Sequence, residues 1–154
     1  HRMGTIFLKA LNHAKENLMV VDYNPDIIRA LTKQNISCIY GDSRNDEILE
    51  CLALKDVNIA ISTIPNIDDN ILLIAKLKQA NPKIFTLVTA EKIHDALKLY
   101  SLGADYVILP QVISGEKGLN IVRDAEKISQ NKEKFAKIRE EHINYLKDLH
   151  RFLY

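Results

Sequence analysis

Leu18-Met19-Val20-Val21-Asp22-Tyr23-Asn24-Pro25 is the stretch on which the reading of this chain turns. Four apolar residues of strand character stop on an acid that packing does not call for, and Pro25 suits the first turn of a following helix. In a doubly wound α/β domain, a carboxylate ending the second strand accepts hydrogen bonds from a ribose 2′-OH. Asp22 and its neighbour Tyr23 are therefore candidate nucleotide-binding residues.

Upstream stands His1-Arg2-Met3-Gly4, followed by an apolar helical pattern over residues 4–14. This matches the back half of a G-x-G-x-x-G turn and its helix. Gly4 takes the third glycine, which lets helix and strand pack closely, and His1 stands where the second is expected. Gly4 precedes Asp22 by eighteen residues, close to the spacing such a fingerprint requires. His1, Arg2, Met3 and Gly4 thus form the candidate phosphate end of the site. The first glycine and its strand would lie before residue 1. A sheet lacking that central strand exposes two unpaired edges. The chain is accordingly expected to be a fragment of a longer protein, with a strand donated by a partner as the alternative.

Downstream, strand and helix patterns alternate. A helix from Pro25 to about Gln34 carries Ile27, Ile28 and Leu31, and Ile36–Tyr40 is a strand ending at Gly41-Asp42. A short helix through Ile48, Leu49 and Leu52 leads to a strand at 57–62. The next helix starts near Asn66, with Asp68 and Asp69 in its first turn, and carries Ile71, Leu72, Ile74, Ala75 and Leu77 to Asn81-Pro82. A strand at 84–88, a helix at 92–102 ended by Gly103, and a strand at 106–109 complete the series. Apolar strands between amphipathic helices predict a Rossmann-like, doubly wound parallel sheet covered on both faces. Counting the strand expected before residue 1, the sheet has six strands.

From Gly118 onward the pattern is helical and rich in Lys and Glu. Phe135, Ile138, His142, Tyr145, Leu149 and Phe152 form a seam at spacings of three and four. The chain divides on this reading into a nucleotide-binding domain at 1–112 and a helical tail at 113–154 that docks or dimerises.

Composition narrows the function. The 154 residues carry 21 basic and 20 acidic side chains, a net charge of +1 that argues against non-specific nucleic-acid binding. No apolar run is long enough to span a membrane. Cys38 and Cys51 lack metal-ligand spacing and read as reduced core thiols. His94 with Glu91 and Asp95 lacks a third metal ligand. No G-x-S-x-G, HExxH or Tyr-x-x-x-Lys pattern supplies catalytic groups, so no catalytic or metal site is assigned.

In an open α/β sheet, ligands bind outside the carboxyl ends of the strands. That rule gathers Asp22 and Tyr23, Asp42 and Ser43, and Thr63 and Ile64 on one rim. Asp42 can accept from an adenine amino group beside the Ser43 hydroxyl, or cap the next helix. Thr63 and Ile64 would present hydroxyl and backbone to phosphates or a second ribose.

Four features in order carry a resemblance: the Arg2-x-Gly4 helix start, Val20-Val21-Asp22 with Asn24-Pro25, Tyr40-Gly41-Asp42-Ser43, and Gly103-Ala104-Asp105 running to Pro110. Over about residues 1–112 the chain resembles the RCK (TrkA-N) domains of potassium channels, uptake systems and Kef-like cation/proton antiporters. The resemblance implies a regulatory domain that binds NAD(H) or an adenine nucleotide such as AMP and forms a homodimer. It also implies that the domain gates a membrane channel or antiporter, in the same chain or a separate subunit, from its cytoplasmic face. Thr89 stands where that family often carries an arginine, which favours an adenosine-centred ligand, and Asp22 disfavours NADP. The alternatives are an NAD-dependent oxidoreductase fragment and a nucleotide-free dimerisation module.

Overall fold

A computed structural model describes residues 2–128 and 132–153. It divides into two compact units: the described residues of His1–Lys9 and Pro110–Tyr154 form one, and Ala10–Leu109 the other. Residues 2–9, assigned by sequence to a 1–112 domain, thus group with the C-terminal helices.

The larger unit holds the strands. The elements run α1 (Arg2–Leu11), a 3-10 segment (Asn12–Asn17), β1 (Met19–Asp22), α2 (Pro25–Lys33), β2 (Ser37–Tyr40) and α3 (Asp46–Glu50). A 3-10 turn (Leu54–Asp56), β3 (Ile59–Ser62), α4 (Ile67–Ala80), β4 (Phe85–Thr89), α5 (Ile93–Ser101) and β5 (Tyr106–Ile108) follow. Every strand pair is parallel, with Val20 opposite Cys38, Ala60 opposite Thr86 and Val88 opposite Val107. The strands form two sheets, β1-β2 and β3-β4-β5. Among the described residues, β1 and β3 therefore each pair on one side only. The doubly wound order would place a further strand between them.

Asparagines start three of the helices. Asn24 accepts the Asp26 N–H, Asn45 the Glu47 N–H, and Asn66 the N–H groups of Asp68 and Asp69. Asp42 was the sequence candidate for capping α3; Asn45 holds that place, because the chain makes one more turn before the helix begins.

The core lies between α4, α5 and the second sheet. Ile74, Val88, Ala96, Leu99, Ala104 and Val107 form one buried cluster, and Leu49, Leu73, Leu77 and Ile84 join α3 to α4 in another. On α4 the inward stripe is Asn70, Leu73, Ile74 and Leu77, whereas Leu72, read as inward, is exposed. Coverage of the sheet is also less complete than expected. Ile59, Ile61, Phe85 and Tyr106 are all exposed, and the register puts Ile59 beside Phe85 on one face. A hydrophobic run shows that a strand can be buried, not which element covers it. Cys51, expected in the core, is exposed at the C-terminal end of α3, while Cys38 is half-buried; both are free thiols.

In the smaller unit, α6 (Pro110–Ile128) and α7 (Lys132–Leu153) make up the tail. Helix begins at Pro110, eight residues before the sequence pattern becomes clear, because proline is well placed in a first helical turn. Lys9 Nζ lies 5.4 Å from the centroid of the Tyr145 ring. The side chains of Phe135 and Phe152, two members of the predicted seam, lie outside the described residues. Among the described residues, no helix is long and apolar enough to cross a membrane.

Candidate functional site

The site is built where strands of the larger unit end. Asp22 closes β1 opposite Tyr40, and Gly41 N–H donates to the Asp22 carbonyl at 3.0 Å. This register sets Asp22 and Asp42 at the same, carboxyl, end of adjacent strands. Each carboxylate folds its own loop: Asp22 Oδ1 accepts the Asn24 N–H at 2.8 Å and Asp42 Oδ1 the Arg44 N–H at 2.9 Å. Such Asx turns stabilise the tight exit from each strand.

The two acids differ in what else they hold. Among the described residues, the hydrogen bonds of Asp22 stop at Oδ1; the side chain is half-buried and joins no described ion pair. Oδ2 retains its acceptor capacity. Asp42, in contrast, is fully engaged. Arg44 Nε lies 3.0 Å from Oδ1 and 2.9 Å from Oδ2, and Nη2 lies 2.5 Å from Oδ2. Hydrogen bonds from the guanidinium and then from the Arg44 N–H hold the Asp42 carboxyl below the usual carboxylate range. In this structure the lone pairs of Asp42 are therefore directed at Arg44.

Arg44 is the residue the sequence reading missed. Its Nη1 also reaches Asp69, in the first turn of α4, at 3.5 Å. Its carbonyl accepts from Lys76 Nζ at 2.7 Å, and the same ammonium pairs with Asp46. The loop after β2 is thus tied to α4, which follows β3. The signal available in the sequence was an acid and a base two apart at a strand exit.

Ser43, after β2, and Thr63, after β3, are both half-buried. Ile64, beside Thr63, is bonded inward through its carbonyl. Its carbonyl accepts from Asn70 Nδ2 at 2.8 Å and from the Thr89 hydroxyl at 3.1 Å, and its side chain packs against the α3–α4 cluster. That carbonyl faces inward and is not offered to a ligand; the N–H is held only loosely, 3.4 Å from Ser62 Oγ. Asn70, fully buried, also accepts from Ser62 Oγ at 2.6 Å and donates to the Thr89 carbonyl at 3.1 Å. This network anchors the ends of β3 and β4 to α4, and it explains why Thr89 suits its position: its hydroxyl bonds inward.

Gly41 permits the approach of α3. A Cβ there would lie 2.5 Å from Ile48 Cδ1 and 2.8 Å from Cγ1. The Tyr40-Gly41-Asp42-Ser43 signature thus combines a packing requirement with the placement of Asp42.

At the proposed phosphate end, His1 lies outside the described residues. Arg2, Met3 and Gly4 are on α1, which begins at Arg2 rather than at Gly4, and they belong to the smaller unit. Tyr23 is largely exposed. Among the described residues, no group of three His, Cys, Asp or Glu side chains could hold a metal ion. His94 Nε2 lies 2.8 Å from Asp95 Oδ1 on the exposed start of α5.

Parallel strands alternating with helices, with acids at the carboxyl ends of β1 and β2, define a Rossmann-like α/β protein. The TrkA-N domain family model matches residues 1–110, and the chain belongs to that family. Potassium channel protein 1 of Methanocaldococcus jannaschii is 27% identical over 116 residues, which are 74% of this chain and 35% of that one. The glutathione-regulated potassium-efflux system protein KefC of Escherichia coli is 24% identical over 104 residues, 68% of this chain and 17% of that one. The chain therefore spans only a minor part of these relatives.

Solved structures share the fold. The TrkA-N domain of the inner membrane protein ybaL from Escherichia coli superimposes with a TM-score of 0.73 at 21% identity, covering 78% of this chain and 89% of that one. The GsuK channel bound to NAD gives 0.60 at 18% identity, over 71% and 20% of the two chains. The Kef C-terminal domain of Shewanella denitrificans in its AMP-bound form gives 0.52 at 16%, over 87% and 93%.

Proposed function

We propose that this chain is a regulatory module of a potassium, or other monovalent-cation, transport system, and that it binds NAD(H) or an adenine nucleotide such as AMP. Ligand binding is its whole function; the chain performs no chemistry on the nucleotide. It works as a homodimer at the cytoplasmic face of the membrane and gates a channel or antiporter carried in the same polypeptide or a separate subunit. Membership of the TrkA-N family supports this reading, as do the potassium-transport relatives and the NAD and AMP held by two proteins of like fold.

The observation that carries it is the Asp22 carboxylate, oriented by the Asn24 N–H through one oxygen while the other keeps its acceptor capacity. In this reading Oδ2 receives a ribose hydroxyl. Asp42 and Ser43 meet the adenine, Tyr23 borders the ribose, and Thr63 and the Ile64 N–H face the sugar-phosphate. A ligand gates transport only by binding two states unequally, so the rim must touch an element that moves. The loop before α3 and the first turn of α4 are joined at this rim by Arg44 and Asp69.

Thermal-shift or calorimetric titration with NAD, NADH, AMP and ATP tests the reading. At least one is expected to bind, and Asp22→Ala to abolish the effect. NADP should bind more weakly than NAD, because Asp22 repels a 2′-phosphate. An undiminished response in Asp22→Ala refutes the ribose assignment. No response to any of the four favours a nucleotide-free dimerisation module.

A further inference from the structure

Arg44 occupies the acceptor that the nucleotide reading assigns to adenine. Three of its N–H groups, the backbone one included, make four contacts to the Asp42 carboxylate within 2.5–3.0 Å, two on each oxygen. A carboxylate offers about four lone-pair positions, so this set leaves no well-directed place for an exocyclic amine. The same guanidinium sits 3.5 Å from Asp69, on α4. It therefore has a second carboxylate to turn to when the first is taken.

We infer that Arg44 is an autoinhibitory latch on Asp42: an adenine amino group displaces the guanidinium, which swings to Asp69 and so reports occupancy to the first turn of α4. The inference rests on the nucleotide reading above and adds to it the residue that senses the base. Displacement is energetically accessible because the pair is exposed, and exposed ion pairs contribute little to stability. The Arg44 side chain is 54% exposed and that of Asp42 40%. Arg44 is a positioning residue in this scheme, since it acts on the base through Asp42. Its other ties give the movement a path: the Arg44 carbonyl is held by Lys76 of α4, the ammonium that also pairs with Asp46 at the start of α3.

The latch makes a prediction opposite in sign to an ordinary binding residue. Adenosine is the informative probe, because it carries no phosphate that a lost cation would repel or release. In NMR or calorimetric titrations of the full chain, Arg44→Ala should bind adenosine about two- to fivefold more tightly than the unmodified protein. Arg44→Gln should do the same. In an Asp42→Ala background the Arg44→Ala gain should vanish, which a merely structural role for Arg44 would not produce. Saturating adenosine should also shift the Arg44 Nε–H resonance.

Unchanged or weaker adenosine binding in both Arg44 variants overturns the latch while leaving the nucleotide reading intact, provided that Asp22→Ala still abolishes binding. A gain that persists without Asp42 overturns it as well. If neither the unmodified chain nor Arg44→Ala binds adenosine, AMP or NAD, the nucleotide reading fails and the latch with it.

Discussion

At the scale of single residues, buried polar groups govern the rim more firmly than the half-buried acids do. Asn70 uses its whole amide: Oδ1 accepts from Ser62, and Nδ2 donates to the carbonyls of Ile64 and Thr89. Removing it strands the Ser62 hydroxyl and the Thr89 carbonyl and leaves the Ile64 carbonyl to the Thr89 hydroxyl alone, and each stranded group costs about 1–3 kcal/mol. Asn70→Ala should therefore lower unfolding free energy by ~3 kcal/mol, measured by urea denaturation, with Ser62→Ala losing less. If Asn70→Ala retains full stability, the network does not anchor β3 and β4. The sequence held a visible sign of it, a polar residue in step with Leu73, Ile74 and Leu77 on the inward stripe of α4. What it bonds to was not visible, because its partners come from two strands and a loop up to nineteen residues away.

At the scale of elements, the ends of α5 and β5 are the most tightly specified. Gly103 N–H donates to the Tyr100 carbonyl and Ala104 N–H to that of Leu99, a Schellman closure with Gly103 at φ +103°. Space is open around Gly103, with Ile74 Cγ2 4.0 Å from an added Cβ, so the conformation decides the effect. Gly103→Ala should cost about 1–2 kcal/mol, read from the shift in urea midpoint at unchanged slope.

Asp105, just beyond, has a linked acid dependence. Its Oδ2 receives Lys78 Nζ at 2.6 Å, the Thr86 N–H at 2.7 Å and the Thr86 hydroxyl at 2.9 Å. Lys78, and then the Thr86 N–H, hold its carboxyl below the usual carboxylate range. A carboxyl lowered in the folded state stabilises fully above its unfolded pKa of about 4, and the contribution is lost as pH falls through the folded value. Thermal melts between pH 7 and pH 2 should show Asp105→Asn losing stability at neutral pH and varying less with acid. A parallel pH profile for Asp105→Asn and the unmodified chain contradicts this assignment.

At the scale of the whole molecule, the question is what meets the apolar surface the chain leaves exposed. Ile138, Ile143, Tyr145 and Leu146 of α7 are exposed along a helix otherwise dense in charge. A homodimer built on that helix predicts concentration-dependent sedimentation, and Ile143→Glu with Leu146→Glu should shift the chain to monomer without changing its melting temperature. A double variant that stays dimeric places the contact elsewhere.

Local chemistry was enough for much of the fold. Apolar runs of strand length, asparagine and proline at helix starts, and Gly103 at a helix end each act within a few residues, so the order of elements and the parallel Rossmann-like class could be read in the linear chain. The candidate rim was legible in the same way, because an acid ending a strand is a local feature. Which carboxylate keeps a free oxygen was decided only in three dimensions. Arg44 forks onto Asp42 and reaches Asp69, Ile64 turns its carbonyl inward to Asn70, and α1 groups with the tail. Each depends on groups far apart in sequence competing for the same lone pairs or the same surface, and that competition has no signature until the chain is folded.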